Sequence, residues 1–286
     1  MTNTDPGAPE YEFDWQNPSK QSFDVGRVVS STFGVLKNNL IPFLLLTFVG
    51  AGIPMMLFSM WPVFLGVGEG INIFDPSWAE DIAWEGIIGP AIALYLLYMV
   101  LIIIVYAAVI HMTMNALNER EVRLGEALKS SLGLFLPLLA IGILVFVGMV
   151  IGFVPFVIPG IFIMLGFALA FHIKVIEGGS IFGAISRSWT LSRGYKRWIL
   201  LMMIIFGVLG AVIGLIFQLP VLFFGNSQTA LLEGGSMTFW VINAIATGLS
   251  QMVNSALSYI GLTVTYFEIR RVKEGVDFDK IAAIFS

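Results

Sequence analysis

The sequence contains few charged residues and no cysteine. Only 12% of its 286 residues are Asp, Glu, Lys or Arg, and its mean hydropathy is +0.89. Soluble domains carry about 25% charged residues, so this fraction excludes an ordinary water-exposed surface. The absence of cysteine excludes disulfides and thiolate metal or redox sites. The composition is that of a membrane-embedded protein.

Long apolar stretches define the predicted spans. Several are about 20 residues long and uncharged, enough to cross a hydrocarbon core of about 30 Å as a helix. Six spans are predicted, over 40–64, 87–114, 134–154, 159–176, 198–224 and 238–267. Between the third and fourth, Pro155 and Pro159 favour a tight turn. The alternative to two full spans there is a re-entrant hairpin over 134–176. Like two spans, it would return the chain to the side of the membrane from which it entered.

Positive charge is missing from every second loop. The loops 65–86, 155–158 and 225–237 contain six acids and no Lys or Arg, whereas all fifteen Lys and Arg lie on the other side. Short loops rich in Lys and Arg stay in the cytoplasm, so both termini are predicted to be cytoplasmic. Residues 1–22 hold four acids and lack the pattern of a signal peptide. We predict a disordered acidic tail there, followed by one membrane domain over 23–286.

A segment with amphipathic helical spacing precedes each odd-numbered span. The three segments are 23–39, 122–133 and 180–194, and aligning Gly26, Gly125 and Gly183 also aligns Ser31, Ser130 and Ser188. Such helices lie at the membrane interface. The predicted fold is therefore an all-α integral membrane protein of six transmembrane helices. It is built from three parallel repeats, each an interfacial helix followed by a transmembrane hairpin.

Basic residues on these segments are typical of contact with anionic lipid, worth about 1 kcal/mol each. The candidate headgroup contacts are Arg27, Lys129, Arg187, Arg193, Lys196 and Arg197. The sequence contains no Walker or dinucleotide glycine motif to support a nucleotide or nucleic-acid site. We therefore expect anionic lipids at the cytoplasmic face as partners, and no nucleic acid.

The last span carries a stripe of polar side chains at helical spacing. Its members are Asn243, Thr247, Gln251, Asn254 and Ser258. They are interpreted as interhelical hydrogen-bonding groups, with the wall of a hydrated pathway as the alternative. Two glycine pairs, Gly148–Gly152 and Gly210–Gly214, permit close helix approach within the chain or between copies, and packing within the chain is expected.

Residues for catalysis or metal binding are scarce. His111 and His172 are the only histidines, and no His-x-x-x-His spacing exists. Together with Glu177 they are the sole metal candidates, but hydrogen bonding at helix ends is the expected role of the histidines. We predict no catalytic, cofactor or metal site, and Lys174 is expected to reach the interface rather than pair with Glu177.

Two stretches, "VPFVIPGIF" and "VIEGGSIFGAISRSWTLSRGYKRW", carry a family resemblance. They resemble the membrane domain found with some bacterial glycerophosphodiester phosphodiesterases, and related uncharacterised bacterial inner-membrane proteins. The matching residues are Pro159, Gly160, Glu177, Ala184, Ser188, Leu191, Gly194 and Trp198, and "YFEIRRVKEGVDFD" (266–279) is also similar. The resemblance implies a bacterial inner-membrane location. In that family the phosphodiesterase chemistry belongs to a separate soluble barrel, so no enzymatic activity is expected of this chain.

These observations predict a non-catalytic, multi-pass inner-membrane protein that contacts anionic lipid and serves membrane organisation or scaffolding. A homo-oligomer or a membrane-protein partner fits that role. The alternative function is a transporter or channel for a lipid-like or small solute, lined by the polar stripe of the last span.

Overall fold

The computed structural model describes residues 22–64, 84–154, 157–224 and 236–275. These residues form helices and short connections, without a strand among them, which confirms the all-α class. The helices are α1 Val25–Asn38, α2 Leu40–Thr47, a π-helical segment Phe48–Gly52, α3 Ile53–Ser59, α4 Trp61–Phe64, α5 Trp84–Leu117, α6 Leu124–Phe153, α7 Val157–Phe167, α8 Ala170–Ile176, α9 Ile181–Ser192, α10 Lys196–Phe224 and α11 Met237–Glu274. Almost all of the predicted acidic tail lies outside the described residues, as does most of the loops 65–86 and 225–237.

Five helical stretches are long and apolar enough to cross a membrane. They are Leu40–Ser59, Ile88–Leu117, Leu124–Phe153, Val157–Ile176 and Lys196–Phe223. Large apolar side chains stand exposed along them, including Ile41, Leu136 and Phe223. An apolar exterior of this kind suits lipid and not water. The chain is thus consistent with a multi-pass membrane protein, as the first five predicted spans required.

The sixth predicted span is helical but is not one of these five. It forms most of α11, a single helix of 38 residues. Its polar side chains, the predicted stripe among them, lower its hydropathy below that of the other long helices. In compensation α11 packs against more of the molecule, touching α1, α2, α3, the π-helical segment, α5, α9 and α10. It is the central helix of the bundle.

The second predicted amphipathic segment is not a separate helix, which corrects the prediction. α1 is separated from α2 at Asn39, and α9 from α10 at Gly194, whose φ of 87° is left-handed. Residues 124–133 instead continue directly into the third span as the start of α6. The physical reason is that neither Gly133, which keeps a helical conformation, nor Pro137 ends the helix between Leu124 and Phe153.

The buried core surrounds the second half of α11. Tyr266 and Phe267 are almost fully buried there, in the same apolar core as Ile110 and Met112 of α5 and Phe43 of α2. Both predicted glycine pairs pack within the chain, as expected. Gly148 and Gly152 of α6 face α7, and Gly210 and Gly214 of α10 face α11.

Asp24 caps the N-terminus of α1, and its loss should destabilise the protein. Its carboxylate accepts the backbone N–H of Arg27 at 3.0 Å. This hydrogen bond and the Arg27 guanidinium lower the pKa of Asp24 below 3.8. The cap is therefore fully effective above pH 3.8 and is lost as the pH falls through the lowered pKa. We expect Asp24→Ala to cost about 1 kcal/mol at neutral pH.

Thermal unfolding in detergent between pH 7 and pH 2.5 tests this expectation. The difference between Asp24→Ala and the wild type should shrink as the carboxylate of Asp24 is protonated. Asp24→Asn is the control, because it keeps a capping oxygen and removes the titration. A difference that stays constant with pH would contradict the assigned role of the charge.

Candidate functional site

Two of the six candidate headgroup contacts are held in ion pairs inside the protein. The Arg27 guanidinium lies 3.2 Å from Asp24 and 3.7 Å from Glu268, a carboxylate that is only 3% exposed. Arg187 lies 3.2 Å from Glu177. Since carboxylates already balance these charges, Arg27 and Arg187 are less available to lipid than the sequence alone indicates.

Lys129 lies exposed on α6, well along the chain from the other candidates. Within the described part of the chain it has no carboxylate in ion-pair distance. Its proposed contact with lipid stays a prediction.

The remaining three candidates come together where α9 meets α10. Arg193, Lys196 and Arg197 line one pocket of about 320 Å³, together with Gly194 and the aromatic rings of Phe162 and Trp189. We call this the α9–α10 pocket. It combines three cationic side chains with two apolar ring walls, the arrangement expected for an anionic group carried on an apolar molecule.

The backbone explains why these cations converge. Ser180 caps α9 by accepting the Gly183 N–H at 3.0 Å, and α9 ends at Ser192, followed by Arg193 in an extended conformation. Gly194 then takes a left-handed φ of 87°, which favours glycine, and α10 begins at Lys196. The short turn places cations at both ends of the junction on the same pocket.

Lys196 is the fixed member of the pocket. Its ammonium donates a hydrogen bond to the Phe162 carbonyl at 3.0 Å and lies 3.2 Å from the centroid of the Phe162 ring. It also lies 3.8 Å from the Trp189 ring centroid. These contacts hold one positive charge at the pocket wall. Arg193 and Arg197 are exposed and complete the cationic rim.

A second cluster of charges joins α9 to the end of α11. Arg187 contacts Glu177 and also Glu274 at 2.5 Å, and Arg270 contacts Glu274 at 3.0 Å. The Tyr266 hydroxyl donates to Glu177 at 2.7 Å. Burial alone would lower the pKa of Arg187, but the carboxylates of Glu177 and Glu274 raise it overall. No spacing signal in the sequence indicates this cluster, because its members lie up to 97 residues apart along the chain (Glu177 and Glu274).

Lys174 and Glu177 do not pair with each other. The Lys174 ammonium donates to the backbone carbonyl of Gly179, while Glu177 holds Arg187 and Tyr266. Lys273 joins the same region of α11 to α9, donating to the carbonyl of Arg193 at 3.1 Å and of Leu191 at 3.3 Å. Burial lowers the pKa of Lys273. The end of α11 thus anchors the last turn of α9, next to the pocket.

The two histidines do not form a metal site with Glu177. His172 is buried, and its Nε2 lies 3.4 Å from the Tyr106 hydroxyl. Over the described ranges, no group of three His, Cys, Asp or Glu side chains is placed to hold a metal ion.

The polar stripe of α11 faces α10. Thr247, Gln251, Asn254 and Ser258 line a groove of about 460 Å³ between the two helices, which we call the α10–α11 groove. Asn243 is half-buried and is not part of its lining. Gln218 donates to Thr247 at 3.3 Å, and Ser250 donates to the Gly214 carbonyl at 3.3 Å. Of the predicted stripe, Thr247 hydrogen-bonds to the neighbouring helix, whereas Ser250 lies beside the stripe. Whether the stripe holds helices together or lines a hydrated pathway stays a prediction.

The chain matched no protein-family model, no curated protein and no solved structure. The resemblance to the phosphodiesterase-associated membrane domain stays a prediction, and the function is argued from the site alone.

Proposed function

We propose that the protein binds anionic phospholipid headgroups at the α9–α10 pocket and serves membrane organisation or scaffolding without catalysis. The single observation that carries the proposal is the convergence of Arg193, Lys196 and Arg197 beside Phe162 and Trp189. A phosphate would meet the cations, and the first carbons of the lipid would meet the rings. Trp and Lys are side chains that favour the headgroup level of a membrane.

The pocket fits a lipid phosphate better than a soluble anion. It lies at the start of α10, whose residues 196–223 are apolar enough to span a membrane. A lipid held there would keep its chains along the exposed apolar face of α10, which includes Ile204 and Val208. The pocket cations then stand where the negative surface potential of the membrane is strongest.

The proposed setting is a bacterial inner membrane, with six spans and both termini in the cytoplasm. Supporting this orientation is the location of all fifteen Lys and Arg on one side of the predicted spans. α11 is proposed as the sixth span despite its polar stripe, because α10 and α11 form the most extensive helix contact in the described structure.

The proposed three repeats are supported by a shared helical register. A fully buried hydroxyl follows each N-cap by eight residues: Thr32 after Asp24, Ser131 after Arg123, and Ser188 after Ser180. A buried small or branched residue also lies four residues after each cap, at Val28, Ala127 and Ala184. In this alignment Ser188 corresponds to Thr32 and Ser131. The alignment of the glycines instead matches Ser188 with Ser31 and Ser130, one residue earlier, and neither of those two is buried.

Lipid binding is tested by the gain in thermal stability when phosphatidylglycerol or phosphatidylcholine is added to the detergent-purified protein. We expect a larger gain with phosphatidylglycerol. Arg193→Gln/Arg197→Gln should weaken that binding by about 2 kcal/mol, roughly thirtyfold. Phosphatidylcholine should give a small gain that the double variant leaves unchanged.

The matched control is Lys37→Gln/Arg120→Gln, which also removes two exposed cations, neither of them a candidate headgroup contact, and leaves the α9–α10 pocket intact. It should keep most of the phosphatidylglycerol effect. Equal losses in the two double variants would mean that lipid responds to total charge, and the pocket would not be a specific site.

A further inference from the structure

We infer that the α10–α11 groove is the contact surface of a homodimer, occupied by the same two helices of a second copy. The observation behind the inference is a row of polar side chains on a surface between two long helices. Two of these side chains, Asn254 and Ser258, make no hydrogen bond within the described residues. It is independent of the α9–α10 pocket and extends the proposed function.

The groove contains hydrogen-bonding capacity that the chain does not use. The amide of Asn254 and the hydroxyl of Ser258 make no hydrogen bond to any residue in the described ranges, although both line the groove. Gln251 uses its NH₂ group on Ser255 at 3.2 Å, which leaves its carbonyl oxygen as an acceptor. Polar groups facing hydrocarbon are costly unless they find partners.

The groove is open sideways, which separates it from an enclosed pathway. Among the described residues, only α10 and α11 supply its lining, and Gly207, Ala211 and Leu215 on its α10 side are exposed. From Gly207 to Gln218 the groove extends over about 16 Å of helix. Because its α10 wall is made largely of glycine and alanine, a further helix can approach the backbone closely there.

A second copy is the occupant whose chemistry matches the groove best. Each amide carries a donor and an acceptor, and each hydroxyl carries both as well. A surface built from such groups is complementary to itself when two copies meet about a two-fold axis. A lipid chain would offer these amides no hydrogen bond, and the groove carries no charged side chain to select an ionic ligand.

The structure provides a substitution that blocks the groove without disturbing the fold. A Cβ added at Gly207 would meet no atom within 4 Å among the described residues, so Gly207→Leu fits the described monomer and obstructs an approaching helix. The matched control is Val208→Leu, at the next position, where the side chain is 56% exposed and outside the groove lining. Unchanged thermal unfolding of Gly207→Leu would show that its fold is intact.

The test counts copies of the full-length protein by stepwise photobleaching in liposomes at high lipid-to-protein ratio, and by light scattering in mild detergent. We expect two copies for the wild type and for Val208→Leu. Gly207→Leu should raise the dimer dissociation constant about tenfold or more. A single copy for the wild type in both measurements, or dimers that Gly207→Leu leaves equally stable, would overturn the inference.

Cross-linking identifies the face that is in contact, because the chain has no natural cysteine. Ala211→Cys, inside the groove, should give covalent dimers with a short bis-thiol reagent, whereas the exposed neighbour Val212→Cys should not. If Ser258→Cys is instead labelled by a small polar thiol reagent in a monomeric protein, the groove is hydrated. That result would replace the dimer with the transport interpretation of the stripe.

Discussion

Replacing Glu268 by alanine should be among the most damaging single changes in this protein, costing about 3–5 kcal/mol of folding free energy. Its side chain is only 3% exposed and contacts Arg271 at 2.8 Å and Arg27 at 3.7 Å. It also accepts the backbone N–H of Asp24 at 3.1 Å. Without the carboxylate, Arg271 would lose its 2.8 Å ion pair and Arg27 would lose its ion pair across to α11, although Asp24 would still face Arg27. The charged contact between α1 and α11 would be lost.

SDS titration of the purified protein in mixed micelles measures this free energy. Glu268→Gln should cost less than alanine, because an amide keeps the shape and part of the hydrogen bonding. Glu126→Ala is the matched control, since that glutamate also pairs with an arginine, Arg123, but both side chains are more than half exposed. It should cost less than about 1 kcal/mol. Similar costs for Glu268→Ala and Glu126→Ala would contradict the structural role assigned to Glu268.

The helices of this protein are largely predictable from its sequence because their signals are local. Runs of apolar residues place the five confirmed span candidates to within a few residues at most ends. The largest error concerns the start of α6, where the amphipathic pattern of 122–133 is real but no backbone break follows it. A change in pattern along the chain does not by itself end a helix, since only a residue such as Gly194 or Asn39 interrupts the backbone.

The charges were only partly predictable, because pairing depends on tertiary contacts. From positive charge alone, six residues are predicted to contact lipid. That prediction does not distinguish Arg27 and Arg187 from the other four residues. The structure distinguishes them, since the carboxylates of Glu268, Glu177 and Glu274 reach those two arginines from distant segments. No spacing rule connects Arg27 with Glu268. In contrast, Arg193, Lys196 and Arg197 lie within five residues of the sequence, and the structure places all three at one pocket.

The polar stripe shows what periodicity can and cannot determine. Steps of three and four residues place Thr247, Gln251, Asn254 and Ser258 on one helix face, and the structure confirms that these four line one groove. Periodicity does not identify the neighbouring helix. That information lies in the glycines of α10, where Gly210 leaves room for the Asn254 side chain and Gly214 faces Ser250. The two halves of the groove become visible only when both helices are placed.

Gly248→Leu should prevent correct packing of the bundle, at a cost of at least about 3 kcal/mol. Gly248 is not part of the groove lining and meets the π-helical segment at Gly52. A Cβ added at Gly248 would lie 3.0 Å from the Gly52 carbonyl oxygen and would overlap the Met56 side chain. A Cβ added at Gly52 would lie 2.9 Å from the Gly248 carbonyl oxygen. Because the crowded atoms include backbone on both sides, rotation of a side chain cannot relieve the overlap.

Gly207→Leu is the control for this prediction as well, since the same substitution is made in an apolar helix but at a position with open space. SDS titration should show near-normal stability for Gly207→Leu and a large loss for Gly248→Leu. Gly248→Ala should fall between them, because a single methyl group at 3.0 Å requires only a small shift of the π-helical segment. If Gly248→Leu proved as stable as Gly207→Leu, α11 would not pack against Gly52 in the membrane. The central position of α11, on which both the groove and the Glu268 contacts depend, would then be wrong.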